Sequence, residues 1–399
     1  MKDIYFHKLE NRIDWALQQN NLTFQEIIRE CKGAYPVDIL QILKSKKYLQ
    51  KENQIFTYKS PNCGYVKQFI TEKIDNNPIL CSWYFSIPTC ERMVDLYSWD
   101  NKRILFLGMP RLFEYFVRNV KDAKGIHYTL IDLDCYVVNK LKEKYNCNKK
   151  YDIIHADINN LDFRFEEVYD YIFLDPPWYM EYYNRWIAQS FKVLNQKCGI
   201  IIFPLFQELT RPNAEEQRGY LLSELKKCTE DYLIISDFVE YEIPTFENSE
   251  LQNYGVILEK PWKKADLIIT RGIRDGIDII PDKVTDLSKW EEIDIFNIRI
   301  FIDINSAKRS ESVSIRYLTG KEAYLKSPSK RNQELKIANM LTSRGQGYIV
   351  GSAKELLFIL KKIKEMVENG IDIRSVLDSI NIDNLSKTIL VEIFGGKKC

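Results

Sequence analysis

An acid, two prolines and an aromatic stand together at Asp175-Pro176-Pro177-Trp178, directly after the apolar run Tyr171-Ile172-Phe173-Leu174. The run predicts a buried strand, and open α/β sheets bind their ligands beyond the carboxyl ends of the strands. These residue types suit the presentation of an amine lone pair to an electrophilic carbon, such as the methyl of a sulfonium ion. The Asp175 carboxylate and a prolyl carbonyl can accept the two N–H bonds, which turns the lone pair toward that carbon. The prolines stiffen the loop, so the geometry is set before reaction. Trp178 offers a planar face for a base, a contact worth roughly 1–3 kcal/mol, and Tyr179 follows it as a further substrate contact. A strand closed by a Pro-rich turn is the plainer alternative.

These residues need a sheet to position them. Short apolar runs at 103–107, 128–132, 152–155, 170–174, 199–204 and 231–239 predict strands, and 252–258 offers a last one. Helical patterns at 110–119, 135–145, 181–194 and 214–228 lie between them. Strands alternating with helices predict a parallel, doubly wound sheet. Asp132, Asp157 and Asp175 then end three successive strands. A structural protein gains little from acids gathered at one sheet edge, whereas a nucleoside-binding enzyme needs them there.

The Asp175–Trp178 segment resembles motif IV of the class I AdoMet-dependent methyltransferases that modify amino groups, and its Trp form resembles the N6-adenine methyltransferase superfamily. Arg103-Ile104-Leu105-Phe106-Leu107-Gly108 resembles the first strand and glycine turn of motif I, although Met109-Pro110-Arg111 replaces the usual second glycine step. The resemblance implies a Rossmann-like sheet of seven strands and S-adenosyl-L-methionine as cofactor. It implies that Gly108 lets the backbone approach the cofactor, and that Asp132, or else Asp134, holds the ribose hydroxyls. It implies further that Asp157 meets the adenine amino group while Ile158 packs on its ring. Helix capping by Asp132 or Asp134, and a simple turn at Asp157, are the structural alternatives. Ser86-Ile87-Pro88-Thr89 resembles, more weakly, a segment that lines the methionine end of the cofactor; an interdomain turn with Trp83 in the core is the favoured reading.

Around this domain, expected over residues 101–262, the pattern changes. Residues 1–60 read as three helices and a β-wing, which resembles a winged helix-turn-helix, with Thr23-Phe24-Gln25-Glu26 as a capping box. Lys44, Lys46 and Lys47 end its third helix and suit phosphate contact. Residues 61–100 form a connector. Residues 263–399 read as an α+β domain, with 293–303 and 311–318 as paired strands and Ser352-Ala353-Lys354-Glu355 as a second capping box. A basic strip carrying Lys326, Lys330 and Arg331 lies there, with Tyr348 beside it and Gly345-Gln346-Gly347 as a mobile end. Such a strip suits nucleic-acid phosphates, and a solvated loop is the alternative. Either flanking domain is also a possible protein-docking module. Tyr241-Glu242-Ile243-Pro244-Thr245-Phe246-Glu247 and Pro261-Trp262 are candidates for the substrate mouth, with core packing favoured for Phe246 and Trp262.

Composition limits the classes. Lys plus Arg number 57 against 56 acids, a net charge of +1, so any nucleic-acid contact must come from local patches. Nine cysteines are scattered without a CxxC pair and three histidines lack metal-ligand spacing, so no metal site and no secreted disulfide framework is expected. No apolar stretch approaches the roughly 18 residues of a membrane span, and a cytoplasmic setting is expected. The reading is an N-methyltransferase acting on adenine N6 in DNA or RNA. The alternatives are a protein lysine methyltransferase, a polyamine aminopropyltransferase-like enzyme, and a non-catalytic binding scaffold.

Overall fold

The computed structural model describes residues 2–19, 22–46, 76–80, 82–120, 123–145, 150–161, 168–196, 198–258, 260–274, 290–305, 313–318 and 337–394. The chain divides into two units, one of residues 1–73, 83–243 and 255–284, the other of 74–82, 244–254 and 285–399.

The first unit is built on a seven-stranded sheet. Its strands are β1 (Arg103–Leu107), β2 (His127–Asp132), β3 (Tyr151–His155), β4 (Tyr171–Leu174), β5 (Ile200–Phe206), β6 (Thr229–Glu240) and β7 (Lys264–Ile273), in the order β3-β2-β1-β4-β5-β7-β6. Strands β1 to β5 run parallel, and β7 is antiparallel to both β5 and β6. The central strands β1, β4 and β5 are apolar and buried along nearly their whole length, as expected of a parallel sheet covered on both faces. On one face Leu105, Leu107, Ile172, Leu174, Trp186, Ile187 and Phe203 pack together. On the other, Phe106 and Phe173 stack with ring centroids 5.4 Å apart, and Phe116 closes on both.

The expected last strand at 252–258 is corrected: Thr245–Asn253 is a helix, and β7 begins only after Trp262. The sheet therefore runs past the expected boundary at residue 262, because an antiparallel edge pair satisfies the backbone groups of β5 and β6. The N-terminal helices, α1 (Lys2–Gln19), α2 (Phe24–Glu30) and α3 (Pro36–Ser45), belong to this same unit. The Thr23 capping box forms as expected, and Pro36 opens α3. Tyr5 donates its hydroxyl to the Leu209 carbonyl at 3.1 Å, and Lys32 pairs with Asp237 at 2.9 Å. Lys46 pairs with Asp14 at 2.8 Å. The expected wing lies outside the described residues.

The second unit carries a five-stranded sheet: β8 (Trp290–Ile295), β9 (Ile298–Asp303), β10 (Ser314–Tyr317), β11 (Met340–Thr342) and β12 (Gly347–Gly351), in the order β10-β12-β11-β9-β8. The expected pairing of 293–303 with 311–318 is corrected: β8 and β9 form a hairpin, and β10 pairs with β12. Its core joins Ile300, Ile302, Met340 and Val350 to the helices Ala353–Glu368, Ile373–Ser379 and Asn384–Phe394. The first of these helices opens as expected, but Ser352 adopts φ 41° and provides no side-chain cap, so the second capping box does not form. Gly345-Gln346-Gly347 is a buried hairpin turn rather than a mobile end. A Cβ on Gly345 would clash with the Cβ of Phe246. Tyr348 is fully buried in the core and no part of a basic surface. Lys326, Lys330 and Arg331 lie outside the described residues.

Candidate active site

Strand β4 delivers its carboxyl end beside that of β1, in register from Ile104 with Tyr171 to Leu107 with Leu174. The Asp175 amide donates to the Leu107 carbonyl at 3.2 Å, which draws Asp175 to the Gly108 turn. Gly108 has φ +67°, and a Cβ there would meet the Trp186 ring at 2.8 Å. A side chain is excluded twice over, by conformation and by contact. Pro110 opens the next helix, Pro110–Asn119, so the Met109-Pro110-Arg111 departure still makes a turn into a helix.

A small open pocket lies at this turn, lined by Trp83, Tyr84, Phe85, Gly108–Leu112 and Asp175. The first three residues come from a segment that runs beside the end of β6. Phe85 bridges to Tyr241, the Glu242 amide donates to the Tyr84 carbonyl, and the Ser86 amide donates to the Glu240 carbonyl. Ser86 caps the helix Ile87–Val94 by accepting from the Thr89 amide. Ser86 and Thr89 thus hold the segment while the residues just before them line the pocket.

The Asp175 carboxyl is the least ordinary group here. Tyr241, itself fully buried, donates its hydroxyl to Asp175 Oδ1 at 2.8 Å. Burial pushes the Asp175 pKa up to about 7, opposed by that hydrogen bond and by the Lys263 cation. Burial also raises the Tyr241 hydroxyl well above its ordinary range, with the Asp175 charge adding to the effect, so it remains a donor. The Lys263 ammonium sits over three rings, 4.1 Å from the centroid of Trp83, 4.2 Å from that of Trp178 and 5.0 Å from that of Tyr241. Trp178 meets Tyr241 edge-on at 5.5 Å, Trp83 meets Tyr241 at 6.4 Å, and Trp262 closes on Trp83 at 6.0 Å.

The other acids occupy the same sheet edge but are engaged differently. Asp132, 8% exposed, ends β2 and accepts from the Asp134 amide at 2.7 Å. Asp134 accepts from the Val137 amide at 3.4 Å, at the start of the helix Cys135–Tyr145. Asp157 accepts from the Asn159 amide and from the side chains of Asn159 and Asn160, closing the short 3-10 turn Ile158–Asn160. Ile158 is buried in the core. Neither Asp132 nor Asp157 lines the pocket that holds Asp175. Tyr179 precedes the helix Met180–Val193 and lies near the Arg211 guanidinium, and it too is outside the pocket lining. Among the described residues no group of three or more His, Cys, Asp or Glu side chains is arranged to hold a metal ion, and no helix is long and apolar enough to cross a membrane.

Sequence reasoning placed Tyr241 only at a general mouth, favoured core packing for Trp262 and Trp83, and passed over Lys263. The signal available was the aromatic clustering around Trp83-Tyr84-Phe85 and Pro261-Trp262-Lys263.

A sheet in the order 3-2-1-4-5-7-6 with its seventh strand reversed, and an acid at the end of β4 beside a glycine turn, has the topology of the class I AdoMet-dependent methyltransferase fold. Residues 81–250 match the family model described as "Probable N6-adenine methyltransferase". Among solved structures, the chain is similar to the branched-chain polyamine synthase from Thermus thermophilus in complex with N4-aminopropylspermidine and 5'-methylthioadenosine. The identity is 14%, with 70% of this chain and 90% of that one covered, at a TM-score of 0.50. The C9 mutein of the same synthase gives the same identity and coverage at a TM-score of 0.51. At that identity the likeness concerns the fold. No curated protein sequence matches the chain.

Proposed function

We propose that this domain transfers a methyl group from S-adenosyl-L-methionine to an amino nitrogen held at Asp175. The single observation that carries the reading is the half-buried Asp175 carboxyl, oriented by the Tyr241 hydroxyl, in the pocket at the Gly108 turn. Once ionised, Asp175 accepts an N–H of the amine and aims its lone pair, which lowers the barrier by positioning rather than by bond-making. Tyr241 cannot take that proton, so it fixes the carboxylate instead. The chain's fit to the cofactor rests on the left-handed turn at Gly108, which brings backbone to the pocket, and on the acids at the neighbouring strand ends. Asp132 would hold the ribose hydroxyls, with Asp134 as the second choice; Asp157 and Ile158 would border the adenine. The cofactor supplies the electrophilic methyl.

For the acceptor, adenine N6 in DNA or RNA is supported by the family-model description and by the Trp178 ring. The flanking α1–α3 unit, and the strip around Lys326, Lys330 and Arg331, would then grip phosphates or a protein partner. A second reading, an aliphatic amine of a protein lysine or a polyamine, is favoured by one specific observation: a cation already lies on the Trp178 face. Transfer of labelled methyl, assayed side by side on single-stranded DNA, duplex DNA, RNA, bulk protein and polyamines, separates them. Label in none of these, with AdoMet bound, would leave a binding scaffold.

A further inference from the structure

Lys263 directly precedes β7, and β6 ends one residue before Tyr241. The antiparallel register pairs Glu240 with Lys264, and the Tyr241 amide donates to the Lys263 carbonyl at 3.0 Å. This pairing sets Lys263 and Tyr241 opposite each other, although 22 positions separate them in the sequence. The Trp83 segment adds to the end of β6, and Trp178 arrives from β4. Four separate stretches of chain therefore build one enclosure around the Lys263 ammonium. Such rings attract a cation through their electron-rich faces, and more strongly when water is excluded. Trp83 lines the same pocket as Asp175. A strand-edge lysine has solvent available to it; here it lies among aromatic rings next to the reacting acid.

We infer that the rings of Trp83, Trp178 and Tyr241 form a binding site for an aliphatic ammonium group, and that Lys263 is its resident occupant, displaced when an external alkylamine enters. The inference rests on the amino-transfer reading and deepens it by naming the acceptor as an alkylammonium. One feature distinguishes that ligand from a nucleobase. The enclosure already holds an ammonium on an alkyl chain, so its charge preference is met by another of the same kind. Its rings meet at wide angles, Trp178 at 80° and Trp83 at 87° to Tyr241, so they face a compact charge from more than one side. Asp175, held by the Tyr241 hydroxyl, stands beside the enclosure. Lysine on a protein and a free polyamine share this chemistry.

The test is binding to the full chain without AdoMet, so its failure leaves methyl transfer standing and the failure of methyl transfer leaves it standing. Calorimetry with n-butylammonium compares the wild type with Lys263→Ala and Lys263→Arg. The Ala variant should bind roughly 10-fold more tightly, while the Arg variant, which keeps a resident cation, should stay near the wild type. Adding Trp178→Ala to Lys263→Ala should remove the gain. Spermidine and Nα-acetyl-lysine methylamide, run in parallel, tell which source of the ammonium the pocket prefers. A folded Lys263→Ala protein that binds n-butylammonium no better than the wild type, or that gains affinity for adenosine instead, overturns the inference. A measurement on the natural sequence guards against a variant that fails to fold. After reductive 13C-methylation, the Lys263 methyl signal should lie upfield from ring currents and return toward the solvent position as n-butylammonium saturates. A signal that stays in place through saturation, or that starts at the solvent position, overturns it equally.

Discussion

Two stretches of one sheet edge treat the same functional group in opposite ways. At the ends of β2 and β3, Asp132, Asp134 and Asp157 accept from backbone amides of their own turns at 2.7, 3.4 and 2.9 Å. At the end of β4, the half-buried Asp175 instead accepts from a distant phenol at 2.8 Å and lies near a cation, and desolvation raises its pKa to about 7. The first arrangement satisfies a carboxylate locally and shapes a loop. The second engages its carboxyl through a distant side chain and leaves Asp175 on the pocket wall, available to a ligand N–H. An acid at a strand end is therefore not by itself a catalytic sign; what surrounds its oxygens decides.

The largest effect that would break this contrast is on turnover. Asp175→Asn should abolish methyl transfer, by roughly 1,000-fold or more, with AdoMet affinity kept, the pattern of an interaction made in the transition state. Retained turnover would put Asp175 on the same footing as Asp134. The same variant carries a stability signature. Because the folded protein holds the Asp175 proton more tightly than the unfolded chain, stability falls as pH rises from the ordinary carboxyl range to about 7, and is level above it. Asp175→Asn lacks that titration, so at pH 8 it should melt a few degrees higher than the wild type. Thermal melts of both proteins between pH 5 and pH 8 check this.

Gly108→Ala should destabilise by about 1–3 kcal/mol, since a Cβ meets both a positive φ and the Trp186 ring. Denaturant unfolding reads the loss, and an unchanged midpoint would mean that Trp186 moves aside freely. A pH profile sharpens the contrast next. Tyr241→Phe removes a hydrogen bond that lowers the Asp175 pKa, so the rise of activity with pH should move upward, costing several-fold in rate at pH 7 and little at pH 9. A profile that does not shift would separate the phenol from the acid. The smallest expected effect is on the other side of the comparison. Asp134→Ala should cost about 1 kcal/mol as a lost helix cap, with AdoMet affinity within a few-fold of the wild type. A large loss of AdoMet affinity would transfer the ribose role to Asp134.

The alternation of strands and helices from β1 to β5 was legible in the sequence because the strands are short apolar runs and the helices between them carry a 3.6-residue period, both visible in consecutive residues. Asp175-Pro176-Pro177-Trp178 was legible for the same reason, since four adjacent residues and one preceding strand describe it completely. The Thr23 box was equally local, whereas the box expected at Ser352 failed because the hairpin leading into that helix holds Ser352 at a positive φ. Strand β7 was misplaced because two apolar runs competed for one sheet position, and only pairing with β5 and β6 chose between them. The surroundings of Asp175 were beyond local reading altogether. Tyr241, Lys263 and Trp83 reach it from three distant stretches through antiparallel pairing and the Phe85–Tyr241 bridge. Sequence by itself determined the alternation from β1 to β5 and singled out Asp175 at the end of β4. Tertiary structure decided how that acid is charged and what sits beside it, because burial and Coulomb interactions depend on distance in space rather than along the chain.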